Sequence, residues 1–285
     1  MSEHTEKSVR ETYEVLKARV TQPASAEFVQ FLWGKELLGV VKKTLAMKLA
    51  GATSDFRLSE CLRLSSEAEA NEITRTAAMQ KAAALLASMG EMPADAGELV
   101  DVRTGIYDKP FCQAPRLLCR KLGLMTDSIR LTAYDAQGRV VLALRRADKP
   151  VGGGLWDSLA AGLVKASEKT EQALYRELFE EAGLTSVEVE IKEGARFVQT
   201  LPVPEGYLRE IVRNYEGVLK EGVKLQNRDG EVAEFKAFDP FEALRMAEQE
   251  KLMYAAGLGI AETQLTRMGH RIEEKWLHYR GQILI

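Results

Sequence analysis

Residues 162–184 read GLVKASEKTEQALYRELFEEAGL, and within them Glu177, Glu180 and Glu181 fall at i, i+3 and i+4. On a helix that spacing places three carboxylates on one face, one turn apart. Carboxylates this close repel one another, which raises their pKa values or loosens the helix, so a bound cation is the natural counter-charge. The signals for a helix are good: Ser167 is placed to cap its start, and Ala173 and Leu174 continue it. Gly183 suits a left-handed end, and Leu174 and Leu178 supply an apolar face one turn apart. Arg176 lies off the acidic spacing and is expected to pair with Glu168, tying the preceding loop to the helix.

The order Gly162, Glu168, Arg176-Glu177-Leu178, Glu180-Glu181, Gly183-Leu184 resembles the complete Nudix box, with each defining position filled. A solvated acidic helix is the plainer reading of so much charge, but it gives no reason for the matching glycines, arginine and leucine. The resemblance implies an α+β fold, a Nudix α/β/α sandwich with a mixed sheet, in which the box forms loop, helix and loop. It implies Mg2+ or Mn2+ as cofactor, held by Glu177, Glu180 and Glu181 with the backbone carbonyl of Gly162, while Glu168 and Arg176 support the box. Family members differ over the general base. Besides Glu177, the candidates here are Glu231 and Glu234, in a segment similar to the late acidic segment of many Nudix enzymes.

Arg145 and Arg146 end a predicted strand just before Gly152-Gly153-Gly154 and are candidates for gripping substrate phosphate; a solvated strand end is the competing reading. The stretch RRADKPVGGGLWDSLAAG, the later Asp229-Gly230-Glu231-Val232 and the N-terminal part together resemble a Nudix subfamily related to the hydrolase part of fungal thiamine pyrophosphokinases. That similarity implies hydrolysis of thiamine diphosphate or its oxidised analogues to the monophosphate. Nucleoside diphosphate-X compounds such as ADP-ribose or a nucleotide sugar are the alternative substrates, and a non-catalytic ligand sensor is the alternative role. A diphosphate isomerase of the same fold needs a cysteine beside the sheet, and Trp156-Asp157-Ser158-Leu159-Ala160 has none. Trp33, Phe197, Tyr207 and Tyr215 are the aromatics considered for stacking on a substrate ring.

The loop-like stretch 91–104 and the breaks at Pro110 and Pro115 place an expected domain boundary near Leu124. Residues 1–124 carry 17 Lys and Arg against 16 Asp and Glu, and the whole chain has a net charge of −3, so nothing favours nucleic acid. No apolar run reaches the ~18 residues of a membrane span. Cys61, Cys112 and Cys119 lack metal spacing and suit reduced thiols in the cytoplasm. His4, His270 and His278 have no ligand spacing. The predicted N-terminal domain, 1–124, is a smaller α+β unit with helices at 3–20 and 67–89, strands at 27–33 and 37–41, a loop at 91–104 and a helical patch at 115–122. It is expected to shape the substrate cleft, to mediate homodimerisation, or both. The predicted Nudix domain, 125–285, opens with a hairpin turning at Asp135-Ala136-Gln137-Gly138. Strands near 187–199, 208–219 and 232–238 and helices from about Pro240 and Ile260 follow the box.

Overall fold

The computed structural model describes residues 3–105, 109–149 and 151–270; residues 271–285, His278 among them, lie outside these. Helix α1 (Glu3–Val20) buries Val9, Tyr13, Leu16 and Val20, the face its 3.6-residue periodicity predicts. Strands β1 (Phe28–Trp33) and β2 (Glu36–Lys42) form an antiparallel hairpin. Helix α2 (Lys43–Ala52) follows directly and had no counterpart among the expected elements. Strands β3 (Phe56–Leu58) and β4 (Leu62–Leu64) complete a four-stranded sheet of order β2-β1-β4-β3, with β1 and β4 parallel.

Helix α3 (Glu72–Ser88) begins five residues later than expected. Asn71 accepts from Thr74 N–H (3.0 Å) while its own N–H donates to Thr74 Oγ1 (3.1 Å), a reciprocal cap. Residues 66–69 instead make a turn, closed by Glu69 N–H on Ser65 O (2.9 Å). The expected 91–104 loop contains a strand, β5 (Leu99–Val102), paired with β6 (Cys112–Pro115). Helix α4 (Arg116–Leu122) ends at Gly123, whose φ of 58° and approach to β2 both exclude a side chain: a β-carbon there would lie 2.3 Å from Val40 O.

Strands β7 (Met125–Tyr134) and β8 (Val140–Arg145) form the expected hairpin. The short strands β9 (Trp156–Asp157) and β10 (Ala160–Leu163) pair with β8 and β7 respectively and lead into α5 (Thr170–Ala182). Strands β11 (Val189–Val203), β12 (Gly206–Leu219) and β13 (Val232–Phe238) complete the sheet. Its order is β11-β12-β7-β8-β13, and only the β12–β7 pairing among those neighbours is parallel. Helices α6 (Pro240–Glu248) and α7 (Tyr254–Arg267) follow, the latter starting six residues before Ile260.

The fold is α+β, with helices on both faces of the mixed sheet. Ile129, Leu131 and Ala133 of β7 pack with Leu174 and Leu178 of α5. Met125 and Tyr134 of the same strand instead share a core with α1, α6 and α7. The first helix therefore packs with the C-terminal sheet, although the sequence placed it in the N-terminal unit. Periodicity shows that a helix has an apolar face, and only the tertiary fold shows what covers it.

Candidate functional site

Helix α5 starts where Lys169 N–H donates to Gln172 Oε1 (3.0 Å). Ser167 does not cap it, because its φ is +63°, whereas an N-cap residue needs the extended region. At the other end Gly183 takes φ 71° as expected, and the loop 226–229 covers the last carbonyls. Gln226 N–H donates to Ala182 O (2.9 Å), and Arg228 N–H (3.0 Å) and Asp229 N–H (3.1 Å) both donate to Glu180 O. Capping orphan carbonyls in this way also delivers Asp229 and Glu231 to the helix.

Glu181, 7% exposed, points under the sheet and accepts from Ala161 N–H (2.8 Å). Burial raises its pKa well above the ordinary carboxylate value, and Glu177, Asp157 and Asp229 push it further. One carboxylate oxygen from each of Glu181, Asp229 and Glu231 lies within 4.8 Å of the other two. Burial also raises Asp229, opposed by the hydrogen bond from Glu231 N–H, while the Glu231 charge adds to the rise. Glu231 donates its N–H to Asp229 Oδ1 (2.9 Å) and is ion-paired with Lys149.

Glu177 lies against Gly162 and accepts from Arg176 Nη1 (2.6 Å). Its pKa is raised, because burial outweighs the arginine. Arg176 Nε donates to Glu168 Oε1 (2.8 Å), and Nη2 to Glu168 Oε2 (2.9 Å) and Leu163 O (3.1 Å), so the loop and helix are tied as the sequence suggested. Burial would raise Glu168, but these bonds and the one from Lys165 N–H hold it below the ordinary value. Glu180 turns outward: its side chain is 43% exposed and reaches Arg176 Nη1 (3.3 Å). The acidic trio thus does not close on one point. Glu177 and Glu181, four apart, face the sheet, and the 229–231 loop supplies the rest of the cluster.

The two arginines at the strand end separate. Arg145 turns inward to Asp157 Oδ2 (3.1 Å) and Val151 O (3.2 Å), and Arg130 pairs with the same Asp157. Arg146, just past the end of β8, pairs with Asp148 on the surface (3.0 Å). Glu234 is exposed on β13, beyond a register shift, and is not in the carboxylate cluster. Asp157, Arg130, Lys149 and Asp229 were not singled out from the sequence. Only Asp229 carried a local signal, two residues before Glu231 in the quoted acidic segment. Phe197, Tyr207 and Tyr215 are core residues, whereas Trp33 is 38% exposed and packs on Phe111.

Residues 126–256 match the NUDIX domain family model, a span that holds the box, the sheet around it and the 229–231 loop. Among curated proteins, an uncharacterized Nudix hydrolase of Pseudomonas aeruginosa is 31% identical over 90 residues, 32% of this chain and 52% of that one. An RNA pyrophosphohydrolase of Teredinibacter turnerae is 44% identical over 88 residues, 30% of this chain and 43% of that one. The chain thus matches about half the length of these relatives. Among solved structures, a Deinococcus radiodurans protein is 18% identical, covering 61% of this chain and 100% of its own, with a TM-score of 0.46.

Proposed function

We propose that this chain is a pyrophosphohydrolase that cuts the diphosphate linkage of a small organic diphosphate with the help of Mg2+ or Mn2+. The observation that carries the reading is the convergence of Glu181, Asp229 and Glu231 beside a partly buried Glu177. Three hard oxygen donors, two of them on carboxyls whose ionisation burial opposes, fit a small dication better than they fit each other. Glu177, Glu181, Asp229 and Glu231, with the carbonyl of Gly162, would hold it. Such an ion supplies charge neutralisation at the phosphate oxygens and polarises water there.

The chain's own groups do the remainder. Arg145, kept in place by Asp157, offers a charge-assisted hydrogen bond to a non-bridging phosphate oxygen. Glu231 is half-exposed and Glu177 is raised in pKa, which makes both suitable acceptors for a proton from attacking water. Glu180, turned toward solvent, is left a supporting part.

For the substrate, thiamine diphosphate and its oxidised analogues come first, on the similarity of residues 145–162 and 229–232 to the thiamine-related subfamily. The 44% identity to an RNA pyrophosphohydrolase favours a second reading, a nucleoside-linked diphosphate. Cys61, Cys112 and Cys119 are all free, which supports a cytoplasmic home with reduced cysteines. No described helix is long and apolar enough to cross a membrane.

The test is hydrolysis of thiamine diphosphate, its oxo analogue and ADP-ribose with Mg2+ or Mn2+, with the products separated by chromatography, for the wild type and Glu181→Gln. Thiamine monophosphate plus phosphate, lost in the variant, is the expected result. Turnover of ADP-ribose alone would defeat the thiamine assignment, and no turnover of any diphosphate would defeat the enzymatic one.

A further inference from the structure

The hairpin of strands β5 and β6 brings the N-terminal unit against the box. Strands β5 and β6 pair Asp101 with Gln113, and their outer edge lies along the loop that joins β10 to α5. Ala166 N–H donates to Leu99 O (2.9 Å), and Val100 bridges Lys165 in antiparallel sense, so the loop continues the hairpin as a third strand for one turn of pairing. Beyond that point Asp101, 8% exposed, accepts from Ser167 N–H (3.3 Å) and from Gln113 Nε2 (3.4 Å). Gln113 Nε2 also donates to Ser167 Oγ (3.2 Å).

Ser167 is the residue in the left-handed region, at φ +63°. A β-carbon disfavours that conformation, and serine is not among the residues that visit it routinely, so the surroundings must impose it. The residue that follows is Glu168, which accepts from Lys165 N–H (2.9 Å) and grips Arg176 through both oxygens. Arg176 in turn holds Glu177. A continuous set of bonds therefore runs from the hairpin through Ser167 and Glu168 to the carboxylate helix.

We propose that Asp101 and Gln113 are positioning residues for the carboxylate site: they hold Ser167 in its left-handed conformation and thereby set Glu168, Arg176 and Glu177. The consequence for metal binding rests on the hydrolase reading above, whereas the clamp itself does not. This assigns the N-terminal unit a role in setting the geometry of the site.

The test uses the full chain and two readouts: Mn2+ affinity by calorimetry, and amide hydrogen exchange over residues 165–169. Loss of Asp101 in D101A is expected to weaken Mn2+ binding roughly tenfold, the lower end of what outer groups contribute, and to speed exchange in the loop. D101N keeps an acceptor for the Ser167 amide and is expected to stay near wild type. Q113A removes a partly buried side chain and is expected to shift both readouts in the same direction by less. Placing S167G beneath D101A is expected to recover most of the loss, because glycine adopts positive φ without help. A purely structural role for Asp101 would not couple to Ser167 in that way. Wild-type Mn2+ affinity and wild-type exchange in folded D101A or Q113A would overturn the clamp, as would a D101N loss equal to that of D101A. Absence of Mn2+ binding by the wild type would instead overturn the hydrolase reading, and loop exchange alone would then decide the clamp.

Discussion

A β-carbon on Gly162 would lie 2.0 Å from Oε1 of Glu177, so the closeness of this strand to the carboxylate helix depends on the missing side chain. Gly162→Ala is expected to push the Glu177 carboxylate aside. Displacements of about 1 Å at a reacting centre can cost on the order of 100-fold in rate. A drop of that size in kcat with little change in melting temperature is the expected result. A wild-type kcat in a folded variant would show that Glu177 need not sit where it does.

Glu181 is buried and its charged form is opposed by its surroundings. Glu181→Gln keeps an acceptor for Ala161 N–H while removing a charge that burial disfavours. The variant is expected to be as stable as the wild type without metal, or more stable by roughly 1 kcal/mol. The stabilisation that Mn2+ confers on the wild type should disappear. Thermal unfolding with and without Mn2+ measures both, and undiminished Mn2+ stabilisation would remove Glu181 from the ligand set.

Arg145 and Arg146 are adjacent in sequence and opposite in role. Arg145→Ala is expected to raise KM about tenfold by removing a charge-assisted phosphate contact. Arg146→Ala, losing only an exposed pair with Asp148, is expected to leave KM within about twofold, since exposed pairs contribute little. Equal KM values in the two variants would contradict the inward and outward assignment.

Glu262 on α7 is buried with neither carboxylate oxygen hydrogen-bonded among the described residues, and burial raises its pKa to about 8. The folded chain therefore holds a proton there that the unfolded chain releases above the ordinary value of 4.5. Its contribution to stability is largest below 4.5 and is lost as pH rises from there toward 8, flattening beyond it. Glu262→Gln should remove that slope and be more stable at pH 8.5 by an amount on the order of a few kcal/mol. Urea unfolding at pH 5.5, 7 and 8.5 measures it. Parallel profiles for wild type and variant would mean that Glu262 stays ionised or reaches water.

The parts of this site that could be read before folding are those whose causes lie within a turn or two of chain. Helix α5, its left-handed stop at Gly183 and the Arg176–Glu168 tie follow from 3.6-residue spacing and from glycine's freedom at positive φ. The burial of Val9, Leu16 and Val20 follows from the same periodicity. Chain segments far apart in sequence decided the rest. Asp157 became the anchor for Arg130 and Arg145 only when β9 paired beside β8. Asp229 joined Glu181 because the 226–229 amides were the available donors for the open end of α5. Ser167, placed to cap a helix by its type, was drawn instead into a left-handed turn beside Asp101, a residue 66 positions away. Local pattern specifies which atoms need partners, and long-range packing chooses the partners, because a hydrogen-bonding group or an apolar face is satisfied equally well by any neighbour the fold brings within reach.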